Sequence, residues 1–154
     1  MIIVQSNTAR STLDLGEKIG KAVSKGVFIA LKGDIGAGKT TFVQGLAKGL
    51  GVSGKYYITS PTFNILNEYK GQVLTLCHLD LYRLGSVEEL SYIGFDDLME
   101  TQNVIAVEWP EILDNISFEF DIEITFSFDE HYNRSISVFA TGQPGSNLLN
   151  SLIL

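Results

Sequence analysis

The string Gly33-Asp34-Ile35-Gly36-Ala37-Gly38-Lys39-Thr40 fits the pattern G-x-x-x-x-G-K-[ST] of a phosphate-binding loop. Glycines let such a loop bend until successive backbone N–H groups converge on phosphate oxygens. Lys39 brings a charge suited to β- and γ-phosphates, and the Thr40 hydroxyl suits Mg²⁺. A helix beginning at Thr40 would aim its positive dipole end at the same phosphates. The residues Gly36, Ala37, Gly38, Lys39, Thr40 and Thr41 therefore predict a nucleoside triphosphate site with Mg²⁺.

Such a loop needs a carboxylate from the end of a neighbouring strand to help hold the metal. Asp80 closes the apolar run Val73–Leu79, and Glu108 closes Val104–Val107. Both are metal candidates, and the sequence does not divide the work between them. His78 lies two residues before Asp80, so an extended backbone puts both on one side. It could position or polarise a water, or be a structural histidine near the sheet edge. Thr59, Ser60 and Thr62 follow the phosphate-loop helix, where nucleotide switches carry a hydroxyl that senses the γ-phosphate. Cys77 reads as a core residue, and Trp109 as either packing or a stacking platform for a ligand.

The surrounding chain must place these groups. Val27–Leu31 is a continuous apolar run, as expected of a strand buried on both faces of a parallel sheet, and it leads directly into Gly33. Thr40–Leu50 has a helical apolar face, with Gly51 placed to cap it. A capping box at Ser11–Asp14 predicts the start of a first helix, and Ser86-Val87-Glu88-Glu89 a second one. Phe63–Tyr69 and Val73–Leu79 read as strands joined by a turn at Lys70-Gly71-Gln72, with a helical turn over Phe95–Glu100 and a buried strand over Val104–Val107. Phe118–Phe128 and Ser135–Ala140 alternate as an antiparallel hairpin with one wet face. The sum is an α/β domain over residues 1–141 with a mixed, partly parallel sheet and a C-terminal antiparallel hairpin. Residues 142–154 look like a loose tail, with Leu148, Leu149, Leu152 and Ile153 available for a short docking helix.

GDIGAGKTT (33–41), ITSPTF (58–63), HLDLYR (78–83) and VEWPE (107–111) together resemble the bacterial TsaE (YjeE) family, P-loop ATPases of tRNA threonylcarbamoyladenosine biosynthesis. The resemblance runs from Thr12 through the closing hairpin and implies a three-layer P-loop NTPase-like fold. It implies an ATPase acting with the TsaB and TsaD proteins in threonylcarbamoyl transfer to tRNA. It also implies that Thr40 and Glu108 hold Mg²⁺, that Asp80 is a second essential carboxylate, and that Thr62 or Ser60 is the switch hydroxyl. Trp109 would lie close to the nucleotide, with Thr12 and Arg134 towards its base and ribose side.

Bulk properties narrow the remaining choices. The 154 residues are 45% hydrophobic and 19% charged, as in an ordinary globular domain, with no apolar run long enough to span a bilayer. The N-terminus does not read as a signal peptide and Cys77 is the single cysteine, so a reducing cytoplasm is expected. The net charge of −7 disfavours unaided binding of nucleic acid, so tRNA is expected to be met mainly through partners. Residues 1–55 carry eight of the 11 Lys/Arg against three acids, a polarity that suits docking on a partner or simply makes two solvated faces. Only Arg10, Arg83 and Arg134 are present, too few for the arginine-rich lid of a small-molecule kinase. No Asn-Lys-x-Asp string marks guanine. A kinase and a nucleotide-dependent assembly switch with negligible turnover stand as the alternatives, and slow intrinsic hydrolysis is expected of the ATPase.

Overall fold

The computed structural model describes residues 1–152. Seven strands form one sheet: β1 (Ile2–Gln5), β2 (Val27–Lys32), β3 (Leu66–Lys70), β4 (Thr75–Asp80), β5 (Val104–Glu108), β6 (Ile122–Phe128) and β7 (Arg134–Ala140). Their spatial order is β1-β7-β6-β2-β5-β4-β3. The centre is parallel: β2 pairs with β5 on one side and with β6 on the other, and β4 extends the parallel set beyond β5. Antiparallel pairs β6–β7, β1–β7 and β3–β4 finish the flanks. The predicted mixed sheet with its C-terminal hairpin is thus observed.

The apolar runs explain this order. β2 and β5 are buried along almost their whole length, as central parallel strands must be, whereas β6 alternates between buried and exposed. On one face, Leu15 and Ile19 of helix α1 (Ala9–Ala22) and Phe42 and Leu46 of α2 (Lys39–Gly49) pack on Ile29, Leu31, Ala106 and Ile124. On the other, Phe95 and Leu98 of α3 (Phe95–Met99), with Leu90 and Leu113 from two 3₁₀ segments, cover Ala30, Cys77, Leu79, Ile105 and Val107. Cys77 is a core residue, as expected, and burial pushes its thiol pKa up to about 12.

Helices α1 and α2 approach unusually closely. A β-carbon on Gly45 would stand 2.0 Å from the Leu13 carbonyl oxygen, and one on Gly16 would stand 2.3 Å from that of Phe42. Only glycine permits this contact, which seats α1 directly on the helix that follows the phosphate loop.

Several local expectations shift. The N-cap of α1 is Thr8, not Ser11: Thr8 Oγ1 accepts from the Ser11 N–H at 3.1 Å while Ser11 Oγ accepts from the Thr8 N–H. Ser11 is the third residue of the helix, so the box lies one turn earlier. Ser86 is extended but makes no capping bond, and the segment after it, Val87–Ile93, is a 3₁₀ helix. Phe63 lies outside β3, because the Ile65 N–H closes a turn on the Pro61 carbonyl and Ile65 takes φ 66°. β1 was not foreseen; it is a four-residue edge strand, stabilised by pairing with β7. Of the two readings of the tail, loose or a short docking helix, the structure has the helix, α4 (Gln143–Ser151), with Leu148 buried. The expected contribution of Ile153 lies outside the described residues.

Candidate nucleotide-binding site

The C-terminal ends of β2, β5 and β4 deliver Lys32, Glu108 and Asp80 to one edge of the sheet, and the loop 33–38 turns there into α2. The turn needs residues with positive φ: Gly36 at 78° and Gly38 at 112° occupy the left-handed region that penalises side chains. A β-carbon on Gly36 would meet nothing within 4 Å, so this backbone faces open space. The first N–H groups of α2 have no partners within their own helix, and they open towards the same space.

That space is a cleft of about 430 Å³. Of the residues singled out in the sequence, Gly36, Gly38, Lys39, Thr40, Thr41, Ser60, Thr62, Asp80, Glu108 and Trp109 line it. Thr40 Oγ1 donates to Glu108 Oε1 at 3.0 Å, joining the start of α2 to the end of β5. Asp80 is held by its own loops: Ser60 Oγ donates to Oδ2, and the Tyr82 N–H donates to Oδ1 at 3.0 Å. The hydroxyl-bearing loop is therefore tied to the end of β4 through one carboxylate.

Lys39 Nζ donates to the backbone carbonyls of Gly33 and Asp34 and lies 4.3 Å from the centre of the Trp109 ring. Burial lowers the pKa of this ammonium, while the carboxylates of Glu108, Asp80, Glu111 and Asp34 act in the opposite direction. Trp109 takes φ 56°, an unfavourable conformation for an aromatic residue, at the junction between β5 and Pro110. Its ring also packs at 4.9 Å against that of Tyr82.

Four candidates, Ala37, His78, Thr12 and Arg134, do not line the cleft. The Ala37 side chain turns away from it into the core, fully buried. His78 is fully buried; its Nε2 is 2.8 Å from Glu108 Oε1, so it touches the carboxylate from behind and cannot contact a water in the cleft. Thr12 is likewise buried, with its hydroxyl 2.7 Å from Ser6 Oγ and at the limit of contact, 3.4 Å, with Arg134 Nη1. It backs Arg134 instead of facing a ligand. Arg134 borders the loop, since a β-carbon on Gly38 would stand 3.1 Å from its Nη1. Two lining residues escaped the sequence reading, Ile35 and Tyr82. Tyr82 had a usable signal, standing two residues beyond Asp80 on a strand end.

The donor set fits Mg²⁺. Thr40 and Glu108 offer hard oxygens side by side at the cleft. Among the described residues no group of three or more His, Cys, Asp or Glu is placed to hold a metal ion.

The family model described as "Threonylcarbamoyl adenosine biosynthesis protein TsaE" matches residues 6–136, a span containing every cleft residue named above. The chain belongs to the TsaE family. Within it, the tRNA threonylcarbamoyladenosine biosynthesis protein TsaE of Treponema pallidum is 38% identical over 133 residues, covering 86% of this chain and 96% of that protein. The TsaE protein of Haemophilus influenzae is 32% identical over 146 residues, 92% of this chain and 90% of that one. The crystal structure of Bacillus subtilis YdiB superposes with a TM-score of 0.74 at 31% identity, covering 98% of this chain and 93% of that one. The TsaE fold, including the parallel centre that carries the loop, is therefore shared with a solved relative. Among the described residues no helix is long and apolar enough to cross a membrane.

Proposed function

We propose that this TsaE-family chain is the ATP-binding and ATP-hydrolysing component of the bacterial machinery that installs N6-threonylcarbamoyladenosine on tRNA, acting with TsaB and TsaD. The observation that carries the reading is the Thr40–Glu108 hydrogen bond at the mouth of the glycine loop, with Lys39 beside it in one cleft. Family membership supplies the pathway.

In this reading the backbone N–H groups of the loop and the start of α2 hold the phosphates, and Lys39 exchanges its two carbonyl partners for phosphate oxygens. Thr40 and Glu108 would hold Mg²⁺, which supplies charge neutralisation at the β- and γ-phosphates when bound. Asp80 has a different task. With both oxygens already engaged by Ser60 and Tyr82, it anchors the switch loop to the sheet, so Ser60 and Thr62 reach the cleft on a tether. Trp109, stacked on Tyr82, forms a wall of the cleft near the nucleotide.

Nothing in this arrangement completes a fast hydrolase. Arg10 pairs with Asp14, Arg83 lies over the Phe63 ring, and Arg134, the one arginine beside the loop, is held by Thr12 and the Phe128 ring, so none is offered to a γ-phosphate. Slow turnover by the chain alone and acceleration in the assembly follow from that shortage. The test is an ATPase assay of the protein alone, then with TsaB and TsaD added. Stimulation in the mixture is expected; turnover by the isolated protein at kinase-like rates of about 1–100 s⁻¹ would overturn the reading.

A further inference from the structure

The buried His78–Glu108 contact has no part in the functions assigned so far. Building on the reading of the cleft as an Mg²⁺–nucleotide site, we propose that His78 is a positioning residue for Glu108. Its ring N–H retains one carboxylate oxygen and leaves the other to the cleft.

The geometry is specific. His78 stands opposite Ala106 in the β4–β5 register and Asp80 stands opposite Glu108, so His78 reaches Glu108 diagonally along the same face of the sheet. Its Nε2 lies 2.8 Å from Oε1, the oxygen that also accepts from Thr40 Oγ1 at 3.0 Å. Among the described residues none donates to Oε2. A carboxylate oxygen carries no hydrogen and can only accept, from Thr40 and from the ring alike, so Nε2 carries the hydrogen. Nδ1 is buried without a partner. A hydrogen on Nε2 satisfies the bond to Glu108, whereas a ring carrying its hydrogen on Nδ1 alone would lose that bond and bury an orphaned N–H.

The two donors on Oε1 differ in kind. Thr40 belongs to the nucleotide loop, and its hydroxyl is the group offered to the metal. His78 is fixed inside the sheet, out of reach of any ligand. Its bond therefore holds the Glu108 side chain in one orientation regardless of what Thr40 does. Buried partners that orient a ligating group in this way typically contribute 10–100-fold to metal affinity.

The test uses the full chain and titration calorimetry with ADP, with Mg²⁺ present and with EDTA. His78→Leu removes the donor, and His78→Gln supplies an amide N–H at a similar reach. The expected result for His78→Leu is an affinity for Mg²⁺ in the ADP complex weaker by about 10–100-fold, with binding of ADP in EDTA unchanged. His78→Gln should recover most of the loss. Native-like Mg²⁺ affinity in His78→Leu would overturn the proposal. A wild-type protein with no Mg²⁺-linked binding of ADP would instead refute the functional reading. Long-range ¹H–¹⁵N NMR of the unsubstituted, nucleotide-free protein decides independently, and does so even where His78→Leu fails to fold. Protonated Nε2 on His78 supports the proposal, and a ring protonated on Nδ1 alone refutes it.

Discussion

Lys39 stands under two opposed influences. Burial disfavours its charge, while four carboxylates around it favour the charge, Glu108 first among them. Its present hydrogen bonds go to carbonyls of its own loop, and the Trp109 ring covers one side of the ammonium. Trp109 can do this only by adopting a backbone conformation that costs on the order of 1–3 kcal/mol and persists where surrounding structure enforces it. Removing either charged partner of the cleft should therefore be felt in turnover. Lys39→Ala and Glu108→Ala are each expected to lower the ATPase rate of the assembled system by at least about 10²-fold. Steady-state phosphate release measures this, and full activity in both variants would show that the cleft is not where hydrolysis occurs. The residues of the loop could be read directly from the chain because the glycine spacing encodes a local backbone shape. The burial of His78 and Thr12 could not. It depends on a register between strands 30 residues apart and on Ser6 beside Thr12.

Helices α1 and α2 are joined by more than glycine contacts. Glu17 on α1 accepts from Lys21 on its own helix at 2.6 Å and meets Lys48 on α2 at 2.7 Å. The hydrogen bond from Lys21, then that from Lys48, lowers the Glu17 pKa from 4.5 to about 2. A carboxylate whose pKa falls on folding stabilises the fold above its unfolded value and ceases to do so as it is protonated. The stability difference between the wild-type protein and Glu17→Gln should be complete above pH 4.5, decline as the pH falls towards 2, and shrink with added salt. Urea titrations across that range measure it; a difference independent of pH would remove the ion pairs as its cause. At this scale long amphipathic elements such as α1 and α2 were legible in the sequence, and their ends less so. Thr8 replaced Ser11 as the cap because Ser11 serves as the reciprocal partner within the helix. The strand β1 has only four residues and forms because β7 offers an edge, which no local pattern announces.

For the whole molecule, the central question raised by the sequence was whether residues after 141 belong to the fold. Helix α4 packs tightly at its start, where a β-carbon on Gly145 would stand 1.9 Å from the Asp121 carbonyl oxygen, and Leu148 is buried in the core. None of its residues lines the cleft. A chain ending at Thr141 should fold and bind ADP, with stability reduced by about 1.5–3 kcal/mol for the lost burial of Leu148. Chemical denaturation and calorimetry test both halves, and loss of ADP binding by a folded truncation would make α4 part of the site. The C-terminal hairpin was legible from its alternation, but its destination was not. Hydrophobic pattern gives the face a strand buries, not the neighbour it chooses. β6 inserts beside β2, pairing Ile29 with Ile122.

That insertion bears on how the protein comes into being. During translation β2 and its loop emerge early, yet one edge of β2 is left without hydrogen-bonding partners until β6 has been made. β5 can cover the opposite edge sooner. The nascent loop thus hangs from a half-built support for most of synthesis. A chain cut off before residue 122 is therefore expected to hold the glycine loop on a strand with one edge unpaired, and to hold it loosely.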